Sequence, residues 1–152
     1  MFHRISKNVI EYCILHNIET IVIGYNQGWK QKINIGKRNN QKFVQIPFLK
    51  LVKQIEYKAK LKGIHVLIVN ESHTSKCSFL DNEPNEKHEK YAGKRVSQGL
   101  FRTSKGIIIN ADVNGAHSIM KKSFPNAISV DVVEAFGLMP QIIQQNIVDI
   151  NI

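Results

Sequence analysis

Two short β-branched runs flank one amphipathic stretch, and this arrangement constrains the fold more than any other feature. Residues 19–25, Glu-Thr-Ile-Val-Ile-Gly-Tyr, and residues 64–70, Ile-His-Val-Leu-Ile-Val-Asn, suit short buried strands. Between them Phe48, Leu51, Val52, Ile55 and Ala59 recur at i, i+3, i+4, i+7 and i+11, a helical period. Pro47 stands where helices like to begin and Gly63 where they stop, so the spacing predicts a helix over 47–62. Strand, helix and strand in this order make a parallel, right-handed βαβ unit, and the chain reads as α/β.

The flanking segments follow from the same kind of pattern. Ile5, Val9, Tyr12 and Cys13 predict a helix over 4–17, with Ser6 as a weak cap. Residues 26–42 are polar and basic and read as a long loop, beside which Tyr25 and Trp29 are either stacking aromatics or loop anchors. Residues 72–106 lack a clear period and read as an insertion loop. Residues 107–111 form an apolar run, and Asp112 opens a helix that ends near Lys121 and Lys122, signs that suit the helix dipole. The tail over 128–152 is expected to be helical, with an apolar stripe at Leu138, Met139, Ile142, Ile143, Ile147 and Ile150.

Charge is unevenly spread. The chain has 152 residues and a net charge of +9. Residues 26–65 hold ten Lys/Arg and a single acid, Glu56, so this block accounts for the whole excess. Such a block attracts polyanions, nucleic acid first among them; the plainer reading is a solvated lysine-rich surface. Cys13 and Cys77 offer no disulfide framework, which points to a reducing cytoplasm. No apolar run approaches the roughly 18 residues of a membrane helix.

Two carboxylates stand out by position. Glu71 follows the second strand, and Asp112 sits where an apolar run meets a helix. Sites in open α/β sheets form beyond the carboxyl ends of strands, and carboxylates meeting there suit Mg²⁺. Two such ions about 3.5–4 Å apart stabilise both oxygens of a phosphodiester displacement. Spacing alone leaves the alternative open that Asp112 is a helix N-cap and Glu71 a solvated strand end.

Longer motifs are more specific. They are Glu71-Ser-His-Thr-Ser-Lys-Cys77, Gly93-Lys-Arg-Val, Gly99-Leu-Phe-Arg and Ile109-Asn-Ala-Asp-Val-Asn-Gly-Ala116, preceded by Thr20-Ile-Val-Ile-Gly-Tyr-Asn-Gln-Gly-Trp-Lys30 and Gly36-Lys-Arg-Asn-Asn-Gln-Lys-Phe-Val-Gln-Ile-Pro-Phe48. Over roughly residues 3–127 the chain resembles the C-terminal half of the TnpB (OrfB) family, transposon-encoded proteins related to type V CRISPR nucleases. The resemblance implies part of a RuvC-like, RNase H-like fold without its first three strands. Residues 1–127 would then form the nuclease-domain part, and 128–152 a separate tail.

The resemblance also implies an activity and a site. Complete members cut DNA under RNA guidance with Mg²⁺, which three acidic residues hold. Asp112 matches the third-motif aspartate. The first-motif aspartate belongs to a strand outside this chain, and Gly24 stands at the second-motif glutamate. Glu71, on the neighbouring strand end, is the expected replacement. The family's zinc ribbon is expected to be missing, because residues 72–106 offer only His73, Cys77 and His88, whereas a closed zinc site needs four ligands. Cys77 is then a small packed hydrophobe. His117, one turn beyond Asp112, either approaches the site or lies on the helix surface. Lys30, Lys32, Lys37, Arg38, Lys42, Lys94, Arg95 and Arg102 are the expected contacts to DNA and guide-type RNA; Lys87, Lys90 and Lys105 share that reading or belong to an ordinary charged loop with Glu83, Glu86 and Glu89. The expectation is a truncated nuclease relative that does not cleave alone. Its alternatives are a non-catalytic binding module, or a subunit completing a site in trans through a homodimer or a complementing N-terminal chain.

Overall fold

The computed structural model describes residues 1–26, 47–127, 129, 138 and 139. Lys30, Lys32, Lys37, Arg38 and Lys42, Trp29, and most of the 128–152 tail lie outside the described residues. The chain divides into two compact units, Met1–Ser72 and His73–Ile152. Together they form a mixed α/β structure with two small sheets and, among the described residues, three helices.

The first unit runs α1 (Phe2–Leu15), β1 (Thr20–Gly24), α2 (Phe48–Leu61) and β2 (His65–Val69). β1 and β2 pair in parallel from Thr20 opposite His65 to Gly24 opposite Val69, as the βαβ pattern requires. Both helices stop by the same device. After α1, Ile18 N–H donates to Cys13 O (2.8 Å) and Asn17 N–H to Ile14 O (3.2 Å), with Asn17 at φ 52°. After α2, Ile64 N–H donates to Ala59 O (2.9 Å) and Gly63 N–H to Lys60 O (3.3 Å), with Gly63 at φ 70°. These are two Schellman endings, each turning a helix directly into a strand. The core joins Ile10, Cys13, Ile55, Ala59 and Ile64, with Ile21, Ile23 and Val66 from the strands packed against it.

Two sequence expectations change here. Ser6 does not cap α1: it lies buried inside the helix, its hydroxyl donating to Phe2 O (2.8 Å) and His3 O (3.1 Å). Lys58 is not a free surface cation either. Its ammonium donates to His3 O (2.6 Å) and Ser6 Oγ (2.8 Å), pinning α2 to α1.

In the second unit, residues 72–106 are not a loop throughout. β3 (Lys94–Ser97) and β4 (Leu100–Arg102) form an antiparallel hairpin whose turn uses Gly99 at φ 77°. β4 pairs antiparallel with β5 (Ile108–Asn110), which leads straight into α3 (Ala111–Ser123). Strands of three or four residues are too short to show a readable alternation, which is why the sequence conceals β3 and β4. A Cβ on Gly93 would lie 2.8 Å from Arg102 O and 2.7 Å from Phe101 Cζ, so only glycine fits beside that ring. The core is small: Phe79, Leu80, Phe101, Ile109 and Ala111, with Leu138 packed against it.

Candidate nucleic-acid interface and carboxylate site

Asp112 is placed by two asparagines. Asn110 is the N-cap of α3, its Oδ1 accepting from Asp112 N (2.9 Å) and Val113 N (3.1 Å). Asp112 is therefore not the cap but the second helical residue, and its side chain is exposed. The cap is itself held, since Asn110 N–H donates to Leu138 O (2.8 Å) and Ala111 N–H to Gly99 O (2.8 Å). One turn on, Asn114 is fully buried; its Oδ1 accepts from Phe79 N (3.0 Å) and its Nδ2 donates to Cys77 O (2.9 Å). The helix start is thus clamped on both sides, and Asp112 is presented to solvent at its positive end. Sequence reading found Asp112 and missed Asn114, although both stand in the one motif Ile109–Ala116.

Glu71 follows β2 at the carboxyl edge of the parallel pair, where Gly24 lies opposite Val69 and Tyr25 N–H donates to Val69 O (2.8 Å). The turn there is closed by Ser72 N–H donating to Asn70 Oδ1 (2.8 Å). Tyr25 stacks on Phe48 with centroids 6.1 Å apart, which makes it an anchor of this edge. Glu71 belongs to the first unit and Asp112 to the second, so neither unit holds the pair. Among the described residues no three His, Cys, Asp or Glu side chains gather as a metal cage.

Cys77 and His88, two of the three side chains weighed as zinc ligands, each contact a backbone carbonyl. Cys77 is fully buried, and its thiol points at Glu86 O (3.5 Å). Burial pushes that thiol up from its ordinary value, with the Glu83 carboxylate adding to the effect. It packs as a small hydrophobe, as expected. Glu83, read as one of several surface acids, is buried instead: Oε2 accepts from Ser78 N (2.7 Å) and Oε1 from Ala92 N (2.9 Å). His88 Nε2 lies 2.8 Å from Pro84 O. His117 stacks on Phe79 at 5.0 Å, and its burial lowers its pKa.

The basic side chains of the hairpin form the second element of the site. Lys94 and Arg102 are register partners on β3 and β4, side by side on one face and exposed. Like charges directly opposite each other destabilise a ladder. Neither forms an ion pair among the described residues. Arg95, opposite Phe101, is exposed as well.

The two small α/β units can be compared with known proteins. A family model described as "Cas12f1-like, TNB domain" matches residues 48–119. The CRISPR-associated endodeoxyribonuclease Cas12f2 of Micrarchaeota archaeon (strain CG1_02_47_40) is 34% identical over 139 residues, covering 82% of this chain and 23% of that protein. The cryo-EM structure of a Cas12f1–sgRNA–target DNA complex matches with a TM-score of 0.59 and 21% identity, covering 81% of this chain and 33% of that one; this likeness is one of fold. The chain is a relative of the TnpB-like, RuvC-family nucleases over the part these matches cover. It spans less than a quarter of the curated relative's length. Among the described residues no helix is long and apolar enough to cross a membrane.

Proposed function

We propose that this chain is the nucleic-acid-binding and third-motif part of a TnpB/Cas12f-type, RNA-guided DNA endonuclease encoded by a transposon. The observation that carries the reading is the Lys94–Arg102 pair, two like charges held opposite each other, neither in an ion pair among the described residues. A phosphate backbone supplies that anion. Family kinship over residues 48–119 supports the same reading.

In this proposal β1, α2 and β2 are part of an RNase H-like sheet, and Asp112 and Glu71 are two of the carboxylates of a Mg²⁺ site whose remaining ligand comes from outside this chain. The chain alone binds nucleic acid without cutting it, in the cytoplasm, and gains cleavage in DNA recombination when a complementing N-terminal chain or a second copy completes the site. Neither unit holds both carboxylates, and the described residues alone offer no complete cage for the ion.

Binding to duplex DNA across a salt series tests the interface. Lys94→Gln with Arg102→Gln should lower the slope of log affinity on log salt by about 0.9 for each phosphate no longer neutralised. An unchanged slope would remove the hairpin from the reading. Cleavage assays in Mg²⁺ or Mn²⁺ test the rest. Binding without cutting, followed by cutting once a complementing chain is added and lost again in Asp112→Asn, is the expected result. Asp112-dependent cutting by the chain alone, at a rate per chain that does not rise with chain concentration, would overturn completion in trans.

A further inference from the structure

The family resemblance places a zinc ribbon at residues 72–106, and a closed zinc site needs four ligands. The residues present do not fit that group. His73, Cys77 and His88 are the segment's only histidines and cysteine. Cys77 is enclosed with its thiol on Glu86 O, and His88 Nε2 lies 2.8 Å from Pro84 O. Burial first, and then the Glu83 carboxylate, favour the protonated thiol over the thiolate that zinc takes. Among the described residues no three His, Cys, Asp or Glu side chains gather.

The parts that a metal would join are joined by carboxylates. Residues 73–83 make a first pair of turns: His73 O accepts from Lys76 N and Cys77 N (both 3.1 Å), and Ser78 O from Glu83 N (3.1 Å). Residues 103–107 make another: Thr103 O accepts from Gly106 N (3.1 Å), and Thr103 Oγ1 from Ile107 N (3.1 Å). Asp81 bridges the two. Its Oδ2 accepts from Ser104 N (2.9 Å) and its Oδ1 from Ser104 Oγ (2.5 Å), 23 residues further along the chain. Glu83 makes a second cross-link, from Ser78 N five residues back to Ala92 N nine residues on. Ala92 leads into Gly93 and β3, so this bond sets where the hairpin begins. All four carboxylate oxygens have a donor, which is the condition for keeping such charges out of water. Burial alone would raise the Asp81 carboxyl, but the hydrogen bonds from Ser104 and Ser78 outweigh it and hold it below its ordinary value.

We propose that Asp81 and Glu83 replace the metal of the ribbon: the two carboxylates hold residues 73–106 together through Ser78, Ala92 and Ser104, and the segment folds without zinc. This holds whatever the hairpin binds.

The test uses the full chain, first as purified, then with EDTA, then with zinc chloride as the added probe. Elemental analysis and residue-resolved amide exchange are the readouts. The chain should carry no zinc in proportion to its amount, and exchange at Ser78, Ala92 and Ser104 should be the same in all three conditions. Cys77→Ala, which removes the segment's only cysteine, should leave these amides protected. Glu83→Gln keeps the shape of the side chain but offers one acceptor oxygen in place of two, so exchange at Ser78 or Ala92 should rise about tenfold or more. Asp81→Ala should raise exchange at Ser104 by a smaller factor, because that bond is exposed. The amides of β1 and β2, in the other unit, should not change in either variant, which separates local opening from general unfolding. Zinc bound in proportion to the chain, with its removal raising exchange at these three amides, overturns the replacement. So does protection that survives in both carboxylate variants. If Glu83→Gln leaves the second unit unfolded, EDTA on the unmodified chain decides: retained protection supports the carboxylates, and lost protection returns the ribbon to a metal.

Discussion

The two units are held together by different means. In Met1–Ser72 the order comes from apolar stripes: Ile10 and Cys13 on α1 meet Ile55 and Ala59 on α2 over Ile21, Ile23 and Val66. Ser6 is that unit's only fully enclosed polar residue among the described ones. In His73–Ile152 the buried polar residues among the described ones are Thr74, Ser78, Glu83, Thr103, Asn114 and Ser118. Long elements satisfy most of their own backbone, so in the first unit side-chain hydrogen bonds to backbone are few: Lys58 to His3 O and Asn70 Oδ1 to Ser72 N–H are two of them. The second unit has strands of three and four residues and long irregular stretches. Their backbone groups are answered by side chains: Glu83 for Ser78 and Ala92, Asn114 for Phe79 and Cys77, Thr103 Oγ1 for Ile107 N (3.1 Å). Irregular chain can be ordered without a large apolar core when its buried amides have fixed acceptors.

The largest effects should come from removing each unit's own kind of support. Ile55→Ala leaves a cavity between α1, α2 and the sheet, and should cost about 2–5 kcal/mol in urea unfolding. Asn114→Leu keeps the volume of the side chain but leaves Phe79 N–H and Cys77 O buried without partners, and should cost about 2–4 kcal/mol. A polar-to-apolar change in the second unit would then rival a large-to-small change in the first. The comparison breaks if Asn114→Leu proves nearly neutral, since the second unit would then rest on its apolar cluster alone.

A smaller effect sharpens the contrast at the site. Asn110→Ala removes the acceptor for Asp112 N and Val113 N and should destabilise the chain by about 1 kcal/mol. Amide exchange should rise in the first turn of α3 and leave β1 and β2 as they were. Exchange rising equally in both sheets would show that the cap matters beyond its own helix.

What the sequence reveals follows the same division. The first unit was legible because a helical period over 47–62 and two β-branched runs each report a buried face, and their parallel register follows from the connection between them. The second was legible only at its motif. Residues 94–97 are exposed throughout, so β3 shows no alternation. Glu83 stands among lysines and other glutamates like any surface acid, and its burial depends on two amides that no local pattern announces. Ser6 misled for a related reason: a serine near a helix start suggests a cap, yet this one meets Lys58 from another helix. Asp112 was found through its motif, whereas the roles of Asn110 and Asn114 depend on which amides the surrounding chain leaves unpaired.

The smallest effect concerns pH and belongs wholly to the second unit. His117 stacks on Phe79, and burial lowers its pKa from the ordinary 6.5. The folded state therefore favours the neutral imidazole. As pH falls through about 6.5 the unfolded chain takes up its proton first, so the stability contributed by this group is present in full above that range and is lost as pH falls towards the folded pKa. His117→Leu keeps an apolar neighbour for Phe79 but cannot titrate. Urea midpoints measured from pH 7.5 down to pH 5 should fall less for this variant than for the unmodified chain, and the difference should be localised to α3 and the segment around Phe79. Identical slopes would mean that the ring gains water on the exposed side as readily folded as unfolded. The Phe79 stack would then be a surface contact, and the buried polar groups of this unit would be limited to those already answered by backbone.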